Sequence, residues 1–441
     1  MTQLYDITFG SSQSTLKQAS IRMASISSVK STIDSNEYQR ELLEEHNIEE
    51  VIIDALDELT SKSLKTRVNA CEVIQRYFRD HCAVEFISSR KITILDTIVR
   101  CLKRYKGEEL SHFAILISLM CVTIGSDTVG TFLEPLIQIS TLLNDHTLRP
   151  SVRADCAKSI STCAFIIKDE NMIVDMMHKL YNIFKASGQK GDGRMPIVDE
   201  SLASLHSSCL CAWTLLLVAL KDSRREQSEM IQESRSKIIE LLDSSHLELR
   251  QTAGETLAVI YEIGEDLDED FSAREYDKLC EKFDSLISDS QKSKGKKELK
   301  LQRASFREIS NYFENREPPC SVVKFGGESL TLDSWSKRCQ YNAFCDILGP
   351  GINLHLTQNE ILRDMFGLGE VVRQTNERRP KRSKEVSRYE REESNSSQIE
   401  IVMLLIITSF ESQFQFTKTV ANKIQTKKMR SLRDKRAIVP D

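Results

Sequence analysis

An all-α chain is the fold this sequence predicts: a helical repeat array followed by a small, mostly helical C-terminal domain with a short β-hairpin. Three observations carry that expectation. Only 8 prolines and 16 glycines punctuate 441 residues, and a composition rich in Leu, Ile, Ser, Lys and Glu favours helices. An arginine-led phrase recurs, as TRVNACEVIQRYF at 66–78, VRADCAKSISTCAF at 152–165 and LRQTAGETLAVIY at 249–261. Finally, the pattern changes at residues 321–369. There Val322, Val323 and Phe325, then Leu330 and Leu332, flank Gly326-Gly327, a hairpin signal because primed turns need positive φ at their centre.

The chain begins with a polar stretch. Residues 15–31 are Ser-rich, carry Lys17, Arg22 and Lys30 and lack acids, which faintly resembles a transit peptide. The composition of residues 1–40 favours a disordered polar arm instead, and no uninterrupted apolar core suggests a secretory signal.

Residues 41–287 form the predicted array. Counting from Arg67, Arg153 and Arg250, offset +3 is Ala70, Cys156 or Ala253, and offset +4 is Cys71, Ala157 or Gly254. Offset +7 is Ile74, Ile160 or Leu257. Small residues at +3 and +4 let another helix approach closely, and +7 supplies a bulky contact on the same face. Arg67 and Arg153 lie 86 residues apart, twice 43, and the midpoint Leu110 starts a related phrase with Phe113, Ala114 and Ile117 in the corresponding places. A further copy fits 205–216 once the loop at 188–199 is an insertion. A period in the low forties resembles the armadillo and HEAT class of α-solenoid, whose helical pairs bury their apolar faces only by stacking, which creates a concave surface suited to protein partners. The arginines are expected to cap or bridge neighbouring turns.

Several imitations of chemistry fail on spacing. Gly188, Gly191 and Gly193 lack the GxxxxGK[ST] arrangement of a phosphate loop. Asp266, Asp268 and Asp270 open like a calcium loop, but Phe271 replaces the required glycine and Asp277 the bidentate glutamate. The twelve cysteines contain no CxxC and read as reduced, mostly structural thiols. No catalytic residue, metal ligand or cofactor site is expected, and neither is a small-molecule substrate or a membrane.

Residues 288–302 carry a basic run, read as a solvated linker with a nucleic-acid-facing strip as its sharper alternative. From 303 the chain becomes recognisable. RASFREI at 303–309, VKFGGESLTLDSW at 323–335, YNAFCDILGPGINLHLTQNEILRDMFGLG at 341–369 and SLRDKRA at 431–437 resemble the interferon-related developmental regulator family. So do KSLKTRVNACEVI at 62–74, FISSRKITILDTIVRCLKRYKGEE at 86–109, CAWTLLL at 211–217 and AGETLAVIYEIGEDLDEDF at 253–271. The resemblance implies an armadillo-like solenoid, a family-specific C-terminal domain at 303–372, and a regulator without enzymatic activity. It also implies two family roles: binding to inactive ribosomes with a basic C-terminal helix in the mRNA path, and transcriptional co-regulation through chromatin-modifying complexes.

The tail, 373–441, adds two basic runs. Arg378, Arg379, Lys381, Arg382 and Lys384 form a nuclear-localisation pattern. Lys423, Lys427, Lys428, Arg430, Arg433, Lys435 and Arg436 would make a helix basic on most sides, with little apolar face to bury and a charge suited to RNA phosphates. An apolar insertion at 392–415 interrupts the family pattern, and its run at 401–410 is too short to span a bilayer's roughly 30 Å core; a lineage insertion and an unspliced intron both explain it. The expected partners are the ribosome and its RNA together with proteins on the solenoid, and the expected locations are cytoplasm and nucleus.

Overall fold

A computed structural model of the chain describes residues 48–125, 129–191, 193–268, 271, 276–288 and 296–371. Among the described residues the first helix, α1, covers residues 48–58. It is followed by α2 (Leu64–Asp80), α3 (Val84–Arg104), α4 (Glu109–Ile124), α5 (Val129–Asn144), α6 (Pro150–Ile167) and α7 (Glu170–Phe184). Then come α8 (Glu200–Ala219), α9 (Arg224–Leu241), α10 (Leu247–Leu267), α11 (Tyr276–Ser288) and α12 (Lys296–Asn315). The chain is an all-α solenoid, as its repeated phrase predicts.

Local chemistry sets the helix starts. Side chains of Ser63, Asp169 and Asp199 accept from the backbone N–H three residues on, at Thr66, Met172 and Leu202, the usual N-cap geometry. Pro150 opens α6 where its missing N–H costs nothing. Gly125 ends α4 at φ 72°, in the left-handed region where a Cβ is unwelcome.

Packing divides the helices into two layers. The even-numbered helices α2, α4, α6, α8, α10 and α12 pack side by side in succession and form a ladder. Each odd-numbered helix from α3 to α11 backs onto the ladder helix that follows it. Ladder helices therefore have neighbours on several sides, which explains why α8 is apolar nearly all round. Glu200–Asp222 is long and apolar enough to cross a membrane, yet Leu205, Leu210, Trp213, Leu215, Leu216 and Leu217 are all buried among helices. The positions counted from the arginines all face this core: Ala70, Cys71, Ile74, Cys156, Ala157, Ile160, Ala253 and Leu257 are buried. At Gly254 a Cβ would meet Ile309 and Phe306 of α12 at 2.8 Å, so the small residue there permits the next rung to close in.

The stretch read as a linker at 288–302 is helical from Lys296 onwards. Gln302, fully buried in α12, donates to the Leu286 carbonyl at 2.7 Å and accepts from Arg250 at 2.7 Å. Its basic neighbours hid the helix, because exposed Lys300 and half-buried Arg303 flank the buried Gln302. The sequence boundary at 303 thus falls inside the last ladder helix.

Beyond α12 come β1 (Ser321–Phe325), β2 (Glu328–Leu332), α13 (Trp335–Leu348), a 3-10 turn (Gly349–Gly351), α14 (Ile352–Gln358) and α15 (Glu360–Met365). The strands pair antiparallel from Ser321↔Leu332 to Phe325↔Glu328, leaving Gly326-Gly327 as the turn, with Gly326 at φ 54°. These elements do not stand apart. The chain reverses after α12, and α13 lies across α10, α8, α6 and α4, while α14 and the 3-10 turn reach α2 and α15 reaches α4. The C-terminal elements form a strap along the ladder.

Candidate functional site: the ladder face and its strap

The repeated arginines are structural, and their geometry is shared. Arg67 donates to the Ser61 and Lys62 carbonyls at 2.9 and 3.1 Å, bonds Glu109 of the next ladder helix at 2.6 Å and lies 3.7 Å over the Tyr105 ring. Arg153 donates to the Leu143 carbonyl at 2.8 Å. Arg250 donates to the Ser244 carbonyl and to Gln302, both at 2.7 Å. Arg153 satisfies a carbonyl in the last turn of α5, a group that helix termini leave without an intrahelical partner, while Arg67 and Arg250 satisfy carbonyls of the turns that follow α1 and α9.

The strap is fastened by the same logic. At its first end, the Glu262 carboxylate on α10 accepts from the backbone N–H of Trp335 and Ser336 at 2.6 and 3.1 Å and from the Ser336 hydroxyl at 2.6 Å. A negative charge thereby caps the N-terminus of α13. At its middle, the Phe344 and Phe165 rings meet edge to face at 6.0 Å. At its far end, strap side chains and ladder-helix ends complete each other: Arg79 donates to the Ile347 carbonyl at 2.9 Å, and Asn359 donates to the Val122 carbonyl at 2.9 Å. His355, fully buried, bonds the Phe78 carbonyl through Nε2 at 3.0 Å.

This network fixes the His355 tautomer. The Asn359 Oδ1 accepts from the Ile361 and Leu362 N–H groups at 2.9 and 3.3 Å, so its Nδ2 must donate, to Val122 and to His355 Nδ1 at 3.2 Å. His355 Nδ1 is therefore an acceptor and Nε2–H a donor, the neutral ring. Burial accordingly holds its pKa below the ordinary value. Within the strap, Arg363, 1% exposed, bonds both Glu328 carboxylate oxygens at 2.9 Å and five backbone carbonyls, those of Leu356, Thr357, Leu368, Gly369 and Glu370. That cage ties the hairpin to the last two helices.

Between α13 and the ladder lies a cavity of about 90 Å³, bounded by Lys158, Cys211, Thr252, Glu255, Trp335, Arg338, Cys339 and Asp346 among others. Its charges act on one another. Burial pulls the Lys158 ammonium down, but Asp346, Asp155 and Glu248 outweigh it and its pKa is raised. Burial likewise opposes Arg338, yet Glu255 and a bond to Glu308 at 2.7 Å raise it. Burial raises the carboxyls of Glu255, Glu248 and Asp346. The thiols here are pushed up by burial, Cys211 to about 12, which makes them poor nucleophiles.

One pair looks catalytic and is not placed for it. Ser187 Oγ and His206 Nδ1 are 2.5 Å apart, and both residues are 3% exposed. Burial and the Arg153 charge push the His206 pKa down to about 4. The bond joins the turn after α7 to α8, in a position no substrate reaches. Among the described residues no group of three or more His, Cys, Asp and Glu side chains is arranged to hold a metal ion. Asp266 lies within α10 and its carbonyl accepts from Arg224, so the calcium-loop imitation is helical at its start.

The basic residues expected to contact phosphate, Lys423, Lys427, Lys428, Arg430, Arg433, Lys435 and Arg436, lie outside the described residues, as do Arg378, Arg379, Lys381, Arg382 and Lys384. What sequence reasoning missed is the strap's docking. Its signals are single polar residues, Glu262, His355 and Asn359, whose partners stand 73, 277 and 237 residues away.

Comparison with known proteins bears on most of the chain. The family model described as Interferon-related developmental regulator (IFRD) matches residues 18–314. The Mus musculus protein named Interferon-related developmental regulator 2 is 33% identical over 332 residues, 75% of each chain. Interferon-related developmental regulator 1 of Sus scrofa is 33% identical over 366 residues, 81% of this chain and 80% of its own, and the Homo sapiens protein of that name is 31% identical over the same length.

Proposed function

The chain belongs to the interferon-related developmental regulator family, and from that premise we propose that it is a non-enzymatic regulator of gene expression that binds ribosomes. In this reading the solenoid and strap form the docking body, and the tail helix around Lys423, Lys427, Lys428, Arg430, Arg433, Lys435 and Arg436 enters an RNA-lined channel. The observation that carries it is charge segregation. Residues 373–441 hold 16 Lys and Arg against 9 Asp and Glu, while the remaining 372 hold 44 against 56. A net positive tail on a net negative body confines phosphate contact to the tail, with an affinity that falls steeply as salt rises.

The test is sedimentation with ribosomes at about 50 and 200 mM salt, comparing the full chain with one ending at Gln415. The full chain is expected to co-sediment at low salt and to release at high salt, and the shortened one to bind weakly throughout. Equal, salt-insensitive binding by both defeats the tail mechanism. The run Arg378, Arg379, Lys381, Arg382 and Lys384 favours a second reading, a nuclear co-regulator scaffold for chromatin-modifying complexes. Nuclear enrichment that disappears when those five become alanine, together with no ribosome binding, would select it. In either reading the protein works in cytoplasm and nucleus, and protein partners meet the solenoid surface that the strap leaves open.

A further inference from the structure

A row of ionic side chains crosses the ladder beside α13. It comprises Glu72 of α2, Asp155 and Lys158 of α6, Glu248 and Glu255 of α10, Asp346 and Arg338 of α13, and Glu308 of α12. Six carboxylates stand against two cations. Geometry joins the row: Lys158 and Asp155 stand 3.7 Å apart, Arg338 and Glu308 2.7 Å apart, and Lys158, Glu255, Arg338 and Asp346 line one cavity. Glu72 and Asp155 both act on His112 of α4, where Arg79 opposes them, and Glu248 acts on Lys158. Glu72, Glu248 and Asp346 each present surface to solvent along it, although surrounding protein partly desolvates the carboxyls of Glu248 and Asp346.

A second observation concerns the cavity that the row borders. Trp335, which lines it, is 2% exposed, and its indole N–H has no hydrogen-bond partner among the described residues. A buried donor left without an acceptor is costly in a settled fold, so a ligand that supplies one is favoured. An occupant that answers both features must bring positive charge to the carboxylates and a carbonyl-type acceptor to the indole. Nucleic acid brings the wrong charge, and a simple polyamine brings no acceptor. A lysine- and arginine-rich polypeptide brings both, in its side chains and its backbone.

We propose that this strap-bordered row is a docking site for a Lys/Arg-rich segment of a partner protein. The proposal deepens the reading above in which proteins meet the solenoid, and it does not depend on ribosome binding. The basic side chains would lie over Glu72, Asp346 and Glu248, while backbone carbonyls turn towards the Trp335 end.

The experiment uses the full chain and two fluorescent probes, a 20-residue Lys/Arg-rich peptide and an oligouridine of similar length, each titrated against wild type and the E72Q/E248Q/D346N variant. Peptide affinity is expected to fall about tenfold in the variant, the sum expected of three part-exposed ion pairs, while oligouridine affinity stays unchanged. Equal peptide binding by both proteins overturns the proposal. So does oligouridine binding that weakens in the variant, which would make the row a nucleic-acid surface. Carbodiimide coupling of the peptide to wild-type protein gives a readout independent of the substitutions. Cross-links to Glu72, Glu248 or Asp346 support the site, and cross-links confined to carboxylates elsewhere refute it. Failure of ribosome sedimentation would leave both readouts untouched.

Discussion

Arg363 shows how much one residue of the strap holds. Its guanidinium faces two carboxylate oxygens and five backbone carbonyls while being 1% exposed. Removing one member of a buried ion pair leaves the other uncompensated, typically at 3–5 kcal/mol; Glu328, part-exposed, moderates that figure. Arg363→Met is therefore expected to lower stability by about 3 kcal/mol in denaturant titration. Arg363→Lys should recover little, because an ammonium cannot reproduce the planar fork. His206 supplies a pH prediction at the same scale. Its folded pKa, about 4, lies below the ordinary value near 6.5, so the native state holds the neutral ring and the unfolded chain binds the extra proton on acidification. Stability from this group is complete above about pH 6.5 and declines as pH falls towards 4. His355, also lowered, has the same sign, whereas the raised carboxyls of Glu248, Glu255 and Asp346 act oppositely. The His206 share is thus read as a difference: the loss of melting temperature between pH 7 and 5 should be smaller in His206→Gln than in wild type.

At the scale of elements, the ends of α13 are set by groups remote in sequence. Glu262 satisfies two backbone donors at its start, and Gly351 follows its end. A Cβ on Gly351 would lie 2.1 Å from the Arg79 carbonyl oxygen, a backbone atom that cannot swing aside. Glu262→Ala is expected to cost about 1 kcal/mol, the usual worth of a helix cap, and to speed amide exchange in the first turn of α13. Gly351→Ala should instead release α14, because over-packing against backbone costs about 1–3 kcal/mol; its signature is faster exchange at 352–358 with α8 unaffected. These elements also mark what was legible beforehand. The ladder helices declared themselves through periodic small and bulky residues after each arginine, and the hairpin through Gly326-Gly327, since both depend on neighbours in sequence. The helical start of α12 at Lys296 was hidden by surface charge around the buried Gln302. The docking of the strap was illegible for a different reason. It depends on pairings such as His355 with Phe78 that local pattern does not encode, and a buried histidine reads from sequence like any other.

For the whole described body the strap changes how the solenoid should unfold. A helical array in which each rung touches only its neighbours behaves as a one-dimensional chain, and its ends can melt independently. Here α13, α14, α15 and the intervening turn contact α2, α4, α6, α8 and α10, so rungs that never touch share a common partner. Opening the middle of the ladder then forfeits strap contacts at both ends, which favours a single all-or-none transition. The chain carries only two tryptophans, and both are buried: Trp213 in α8 and Trp335 at the start of α13. In W213F and W335F proteins, each retaining one reporter, urea midpoints are expected to coincide. Adding F344A removes the ring that meets Phe165 at 6.0 Å, a loss of about 3–5 kcal/mol by the usual cost of a buried phenylalanine. The strap should then come away first, with the Trp335 transition moving to lower urea than the Trp213 transition. Coincident midpoints in both F344A proteins would show that the strap and the ladder melt as one unit even without this contact. Separated midpoints in the parent pair would show that the strap never coupled the rungs at all.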